Sequence, residues 1–343
     1  MNSRERVIGT IKRQAVDRTP YNFRAEDVTL EKLFRSTPYK NTDELMDALN
    51  PDIRHINAIT PPEKNMGGFY QNYWGERYIY KPSEFGPVRE DMDGALSKAA
   101  TLKEIKDFAW PKNDDFDYSD LADLCGKHKG RAIMYGHGDV WQRPSLVRGM
   151  AAFFEDMALN PEFCHYICDV FTGFYVEDYR RAFKASGGQI DIFLIYSDLG
   201  GQQSPFISLE MMREFVLPYI RRIADAIHEL GAYFFYHSCG MIHAFIPDLI
   251  EAGVDILDPI QPCTPSMQPE VLSREFGKKL CFHGGIDVQG VLVKGKPQDV
   301  RDEVARYKAA FGNTGYICSS SHLLQADTPV ENIFALFDEI RSD

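Results

Sequence analysis

The sequence HSCG at 237–240 holds two metal-capable side chains at a spacing that could bind one ion. It follows directly on AYFFY (232–236), an apolar run typical of a buried strand. Side chains alternate along an extended strand, so His237 and Cys239 project to the same side of the chain. Imidazole nitrogen and thiolate sulfur are ligands that zinc prefers, and a catalytic zinc ion typically has three protein ligands and one open position. The pair therefore predicts a metal site that takes its third ligand from elsewhere in the chain.

The third ligand has three candidates outside this pair. His322 is the best placed of them, and Cys318 and Cys263 are its rivals. A second interpretation of the pair stays open, in which Cys239 is a buried thiol and His237 a hydrogen-bonded histidine, with no metal involved. The spacing is compatible with both.

Other polar side chains stand where short apolar runs end, and four of the nine histidines lie at such ends. In a barrel of parallel strands the catalytic groups lie at the carboxyl ends of the strands, so these side chains would meet at one mouth. Residues far apart in sequence could then share one metal ion or one substrate. Besides the pair at 237 and 239, these strand-end residues are Arg24, His137, Asp139, Tyr196, Asp198, Gln261, Cys263, His283, Asp287 and His322.

The stretch DLGGQQSPF (198–206) carries an acid and amides on a glycine-rich turn. It leads into a predicted helix for which Ser208 is a candidate N-cap. Asp198 could accept a proton, orient a ligand or bind a cofactor amide. A loop stabilised by its own Asx turn is the alternative interpretation.

The elements that would position these groups alternate regularly from about residue 130 onward. Helical stretches, with apolar residues at three- and four-residue intervals, separate short β-branched or aromatic runs. Two further strand candidates, TPYNF (19–23) and DIRHINAI (52–59), come earlier in the chain. Eight strands with intervening helices predict an α/β fold, a (β/α)8 TIM barrel. The six later strand candidates are RAIMYGHG (131–138), IDIFLIY (190–196), AYFFYHSC (232–239), DILDPIQ (255–261), LCFHGG (280–285) and GYICSSS (315–321).

Two segments are expected to add to the barrel. An N-terminal helix over residues 3–15 should lie outside it. The stretch 68–91 is aromatic, alternates in polarity and contains Gly and Pro. It predicts a β-hairpin or meander that is inserted after the second strand and covers one mouth of the barrel. A doubly wound open sheet is the competing architecture, but a GxGxxG fingerprint after the first strand is absent. No internal repeat or linker is visible, so residues 1–343 are expected to form a single domain.

Composition limits the classes of function. The formal net charge of -12 argues against binding of a nucleic-acid backbone, which needs clustered Lys and Arg. The charged N-terminus has no apolar core of the kind a signal peptide needs, and no stretch reaches the length of a membrane span. We therefore expect a cytoplasmic protein that binds neither nucleic acid nor membrane. Seven scattered cysteines fit a reducing compartment, in which disulfides are not expected.

Four motifs carry a resemblance to a known family: DxGxQxSPFIS at 198–208, HSCG followed by IPDLIEAGVDILDPIQ up to residue 261, GGIDVQ at 284–289, and GYICSSSHLLQADTPVENI at 315–333. Together they resemble the uroporphyrinogen decarboxylase superfamily, and most of all the branch that contains the cobalamin-dependent methyltransferases. The likeness runs over nearly the whole chain and also implies a (β/α)8 barrel.

The resemblance implies a ligand set for the metal. That branch holds zinc with a His-x-Cys pair and a later cysteine near a TP-EN segment. This sequence matches the pair at His237 and Cys239, whereas His322 stands at the position of the later cysteine, judged by its distance to Thr328-Pro329. Replacing a thiolate by an imidazole makes the complex one unit more positive.

The function implied by the resemblance is a zinc-dependent methyltransferase that moves a methyl group between a corrinoid carrier and a small acceptor, such as a thiol. The corrinoid should arrive on a partner protein, because the chain has no cobalamin-binding DxHxxG. Asp198 and His283 are expected to position the substrate or exchange protons with it. The residues expected to bind the substrate are His137, Tyr196, Gln202, Gln261 and Asp287.

The alternative function is a uroporphyrinogen decarboxylase-type carboxy-lyase acting on a porphyrinogen or a smaller carboxylic acid. The true decarboxylases have an arginine-rich segment after the first strand, which grips the carboxylates of the porphyrinogen. Here that segment is YNFRAEDVT, with Arg24 alone. A non-catalytic cofactor-binding or carrier protein is a third hypothesis.

Overall fold

A computed structural model describes residues 1–83, 86–262 and 264–342. Its larger sheet is parallel throughout and contains seven strands in the described residues, in the order β1-β6-β7-β8-β9-β10-β11. A smaller antiparallel sheet has the order β2-β3-β4-β5. The strands are β1 (Ile53–Ile56), β2 (Lys64–Asn65), β3 (Tyr70–Gln71), β4 (Arg77–Lys81), β5 (Val88–Asp91), β6 (Ala132–Gly138), β7 (Ile192–Tyr196), β8 (Tyr233–His237), β9 (Ile256–Asp258), β10 (Cys281–His283) and β11 (Tyr316–Ile317).

Helices alternate with the parallel strands, as the apolar periodicity predicts. In the helix from Leu217 to Glu229, for example, Ile220, Ile223 and Ile227 recur at helical spacing and are fully buried. The helices are α1 (Ser3–Ile11), α2 (Asp27–Ser36), α3 (Thr42–Leu49), α4 (Leu102–Lys106), α5 (Leu121–Lys127), α6 (Gln142–Arg148), α7 (Met150–Leu159), α8 (Pro161–Ala185), α9 (Leu209–Phe215), α10 (Leu217–Glu229), α11 (Ile246–Glu251), α12 (Pro269–Phe276), α13 (Val291–Lys294), α14 (Pro297–Phe311) and α15 (Val330–Arg341).

The first predicted strand, over 19–23, is not a regular strand. Tyr21 forms an isolated parallel bridge with Cys318, and Ala25 forms one with Leu324. Both partners follow β11, the last strand. On the other side, the carbonyl of Tyr21 accepts a hydrogen bond of 2.9 Å from the amide of Asp52, just before β1. The segment therefore lies between β11 and β1, so that the parallel sheet curls into an α/β, barrel-like arrangement.

Helix α1 ends at Ile11, four residues earlier than predicted, and it does not lie wholly outside the barrel. Val7 is fully buried and Ile11 is 2% exposed, and both belong to one apolar cluster with Ile53, Met134 and Phe235 of the strands. Helix α1 therefore covers the amino-terminal end of the sheet, because its apolar face fits the interior there.

The small antiparallel sheet runs from Lys64 to Asp91, around the stretch for which a hairpin or meander was predicted. It follows β1, and Trp74 from this region is fully buried against Phe171 of α8, with ring centroids 3.9 Å apart. None of the helices in the described part of the chain combines the length and the apolarity that a membrane span needs.

Candidate metal centre

His237, Cys239 and His322 come together at the carboxyl ends of the strands. His237 is the last residue of β8, and His322 lies in the loop after β11. One ligand atom from each of the three residues lies within 4.8 Å of the others. The Sγ atom of Cys239 is 3.3 Å from Nε2 of His237. The structure thus groups the three residues whose types and order predicted a metal site.

Asp258 holds His237 from behind. This carboxylate is fully buried at the end of β9, the strand that pairs with β8, and it binds Nδ1 of His237. A proton on Nδ1 leaves Nε2 as the lone-pair nitrogen, and Nε2 is the atom that faces Cys239. A carboxylate behind a histidine fixes the tautomer and the orientation of a metal-binding imidazole. Asp258 is a residue that sequence reasoning missed.

The same carboxylate also binds Arg24 and His283. Nη2 of Arg24 donates to both carboxylate oxygens, at 3.0 and 2.9 Å, and Nδ1 of His283 lies 2.5 Å from Oδ1. Burial of Asp258 opposes its ionisation, but the charge of Arg24 and the two histidines together hold its pKa well below the usual value. Asp258 is therefore a fixed anion behind the site.

His283 is fully buried, and its Nε2 lies 3.2 Å from the side-chain amide of Asn22. Burial lowers the pKa of His283, so the neutral ring donates from Nδ1 to Asp258 and accepts at Nε2. Both nitrogens are engaged, and His283 does not line the cavity in front of the triad. This position suits a residue that supports Asp258 better than one that exchanges protons with a substrate, the role expected from the sequence.

Two loops are packed backbone to backbone beside the triad. A Cβ atom on Gly240 would lie 2.4 Å from the backbone of Gly200, and Gly240 has φ of +82°. Asp198, at the start of the other loop, accepts a hydrogen bond of 2.8 Å from the amide of Cys239, and its Oδ1 is 3.6 Å from Nε2 of His237. The glycines of the two loops therefore allow Asp198 to reach the metal-capable pair.

A cavity of about 330 Å³ opens in front of the triad. Both cationic and anionic side chains line it. Besides His237, six of its lining residues were predicted from the sequence as strand-end residues. Those six are Arg24, His137, Asp139, Tyr196, Asp198 and His322, and the others are Gln142, Arg143 and Leu323.

The turn between β3 and β4 of the small antiparallel sheet contacts two residues that line this cavity. The hydroxyl of Tyr73 is 3.2 Å from Nε2 of His137, and Glu76, 4% exposed, lies 3.4 Å from Nε of Arg143. Burial, with Arg143 nearby, lowers the pKa of His137 to about 3, so its ring is neutral. The sequence predicted a covering segment here but gave no signal that Tyr73 and Glu76 contact the lining residues His137 and Arg143.

Asp139 lines the cavity just before the start of α6. Its carboxylate accepts hydrogen bonds from the amides of Trp141, Gln142 and Arg143, at 2.9, 2.8 and 2.9 Å. Burial raises the pKa of Asp139 to about 7. Through its three hydrogen bonds to backbone amides, Asp139 fixes the position of the turn that carries Arg143.

A second cavity, of about 230 Å³, lies on the other side of Cys239 and His322. Gln202 and Gln261 line this cavity and not the first one. Asp287 lines neither of the two, and its Oδ1 accepts a hydrogen bond of 2.9 Å from the amide of Gln289 in its own loop. Of the two rival ligands, Cys318 is fully buried outside the triad, and Cys263 lies outside the described residues.

Comparison with known proteins settles the family. The family model described as uroporphyrinogen decarboxylase (URO-D) matches residues 141–342, more than half of the chain. The chain belongs to the uroporphyrinogen decarboxylase family. The matched region contains His237, Cys239, Asp258 and His322, so the whole triad and its supporting carboxylate lie in the family domain.

One relative and one solved structure are informative. A methylated-thiol-coenzyme M methyltransferase of Methanosarcina mazei is 28% identical over 201 residues, which make up 56% of this chain. The match covers 49% of that protein, so the chain spans about half the length of this curated relative. A solved methyltransferase from Methanosarcina mazei superposes with a TM-score of 0.75 over 99% of this chain and 98% of its own, at 12% identity. This last likeness shows a shared α/β fold.

The donor set of this uroporphyrinogen decarboxylase family protein fits a zinc ion. Two imidazoles and one thiol are within reach of one point, and Nδ1 of His322 is buried without a hydrogen-bond partner in the described structure. Burial lowers the pKa of His322, which favours the neutral imidazole that a metal binds. Three such ligands would leave a fourth tetrahedral position for a substrate.

Proposed function

We propose that this protein is a zinc-dependent methyltransferase that moves a methyl group between a corrinoid on a partner protein and a small acceptor such as a thiol. The observation that carries the proposal is the triad of His237, Cys239 and His322, in which Asp258 binds Nδ1 of His237 and Nε2 of the same ring faces Cys239. Such an arrangement is typical of catalytic zinc sites.

Each cofactor would bring one capability. Zinc, when bound, would lower the pKa of a thiol at the open position so that the thiolate is available at neutral pH. A corrinoid would supply the methyl group as a cation equivalent, so that the electron pair of the new bond comes from the acceptor. The similarity to a methylated-thiol-coenzyme M methyltransferase supports a thiol in this role.

The protein's own residues would orient and screen the reactants. Asp198 bonds the amide of Cys239 and lines the larger cavity, where it could hold a substrate proton. His137 and Tyr196 line the same cavity as neutral polar contacts for the small substrate. Asp258, with Arg24 and His283, would keep His237 in one tautomer throughout. Gln202, Gln261 and Asp287 would contact substrates from the second cavity or its loop.

The test of the metal assignment is zinc content by mass spectrometry after purification without added chelator. We expect about one zinc per chain in the wild type and almost none in the His237→Ala/Cys239→Ala double variant, because a single remaining imidazole cannot hold the ion. His243→Ala is the matched control, since His243 pairs with Glu275 outside the barrel mouth. Full zinc occupancy in the double variant would refute the ligand assignment.

Methylcobalamin with a panel of thiols tests the reaction itself, read by the absorbance change as the methyl group leaves cobalt. If the zinc-loaded protein demethylates methylcobalamin with none of the thiols in the panel, the reaction class is contradicted and the metal site stays in place. For the carboxy-lyase alternative, the structure offers little: Nη2 of Arg24, the arginine of the first segment, already binds Asp258. Uroporphyrinogen should accordingly give no product.

A further inference from the structure

The smaller of the two cavities beside the triad is lined by four glutamines. Gln202, Gln261, Gln289 and Gln325 come from the loops after β7, β9, β10 and β11, and they surround Cys239 and His322. We refer to it as the glutamine cavity. None of the described residues that line it carries a formal charge. Four carboxamides that converge from four loops make a neutral surface with both donors and acceptors.

The larger cavity differs in chemistry. Arg24, Arg143, Asp139 and Asp198 line it, and among the described residues that line the two cavities only His322 is common to both. The metal-capable triad therefore lies between a charged chamber and a neutral one. A transfer between two reactants needs two approaches to one centre, and the two cavities provide them.

We propose that the glutamine cavity receives the amide-bearing edge of the corrin ring, while the small acceptor occupies the charged cavity; this inference rests on the proposed function. A corrin ring carries neutral carboxamide arms on its periphery. Glutamine side chains can donate to and accept from such amides, whereas charged residues at that place would lose hydration without gaining a partner charge.

The rim of the glutamine cavity is built for a large partner. Gln202 and Gln289 are exposed, and a volume of about 230 Å³ admits an edge of a macrocycle and not the whole ring. Phe206, on the same loop as Gln202, is 58% exposed and packs beside Gly201. An exposed aromatic ring next to amide groups can cover the apolar face of the corrin or of its carrier protein.

The amide groups differ in how free they are to bind. Gln261 accepts a hydrogen bond of 2.7 Å from the amide of Gly240 and so supports the loop that holds Cys239. It should not be replaced in a test. The side chain of Gln202 accepts from Gln261 at 3.4 Å, and that of Gln325 is hydrogen-bonded to Glu26. Neither of these contacts, nor the backbone bond of Gln289 to Asp287, involves the backbone of the triad.

The experiment is calorimetric titration of the zinc-loaded protein with methylcobalamin in the dark. We expect the Gln202→Ala/Gln289→Ala/Gln325→Ala variant to bind methylcobalamin about tenfold more weakly or worse than the wild type, because three neutral hydrogen bonds are lost. The matched control is Gln203→Ala/Gln298→Ala, two glutamines that line neither cavity. Zinc content and circular dichroism should be equal in all three proteins.

Two results would overturn the assignment: affinity of the triple variant within about twofold of the wild type, which is near the error of such a titration, or no binding by the wild type. Failure of the proposed function looks different. Glutamine-dependent binding without methyl transfer to any thiol would refute the function and keep the corrin site. Normal transfer by a triple variant with unchanged affinity would refute the corrin site and keep the function.

Discussion

At the scale of single residues, the metal-binding pair was predictable and its support was not. His237 and Cys239 can be recognised as a pair in the sequence because the two-residue period of a strand puts them on one side. Asp258 sits in DILDPIQ among apolar residues and gives no such signal. Its role depends on β9 lying beside β8, which places its carboxylate behind the imidazole. A contact between neighbouring strands is a property of the sheet and cannot be read from either strand alone.

Asp258→Asn tests this support. An amide cannot balance Arg24, so a buried charge loses its partner and we expect a loss of roughly 3 kcal/mol or more in the free energy of unfolding. The weaker hold on His237 should raise the dissociation constant for zinc by about 10- to 100-fold. Chelator competition and urea denaturation measure the two effects.

Asp248→Asn is the control for this change, because Asp248 of α11 forms an ion pair with Arg213 of α9 and lines neither cavity beside the triad. It should leave zinc affinity unchanged. Equal zinc affinity in Asp258→Asn and the wild type would mean that the carboxylate does not orient His237.

At the scale of elements, periodicity located the helices and most strands. The exception is the first strand, where Pro20 has no N–H to donate and the partner strand β11 has two residues, so isolated bridges replace a ladder. The small sheet over 64–91 could be foreseen from its aromatic alternation. The contacts of its side chains with His137 and Arg143 could not be foreseen, because the path of an insertion over the barrel depends on packing against α8.

Helix α8 carries a buried acid that makes a testable prediction about pH. Asp178 accepts hydrogen bonds from Tyr118 and from Tyr135 of β6, at 2.7 and 2.9 Å, and burial raises its pKa to about 6. A raised pKa means that the folded state binds the proton more tightly than the unfolded state. Protonation of Asp178 therefore stabilises the folded state fully below about pH 4, and this stabilisation is lost as the pH rises through 6. The free energy of unfolding falls by about 3 kcal/mol over this range.

Asp178→Asn should remove this dependence, since an amide does not titrate. The free energy of unfolding of the variant minus that of the wild type should therefore rise by about 3 kcal/mol between pH 4 and pH 7, as measured by urea denaturation. Asp169→Asn, on the exposed face of the same helix, is the control and should follow the wild type. Parallel pH curves for Asp178→Asn and the wild type would show that the acid is ionised at all these pH values.

At the scale of the whole molecule, the two ends of the barrel have separate tasks. The carboxyl end holds the triad and its cavities, and the amino end is closed by α1. Asp52, fully buried just before β1, joins this closure: it binds Arg6 of α1 at 2.6 Å, Arg18 at 2.8 Å and the amide of Tyr21 at 3.0 Å. One carboxylate thus ties the helix, the irregular first segment and the first regular strand.

Asp52→Ala should uncouple stability from metal binding. It leaves Nη1 of the buried Arg6 and the amide of Tyr21 without their partner, so we expect a loss of about 3–5 kcal/mol in the free energy of unfolding. Zinc affinity of the folded protein should stay the same, because Asp52 lies at the opposite end of the strands from the triad. Asp17→Ala is the matched control: Asp17 binds Arg6 from a side chain that is 42% exposed, and its loss should cost about 1 kcal/mol or less. If Asp52→Ala weakens zinc binding as much as it weakens folding, the two ends are coupled through the strands, and the barrel does not act as a rigid support for the site.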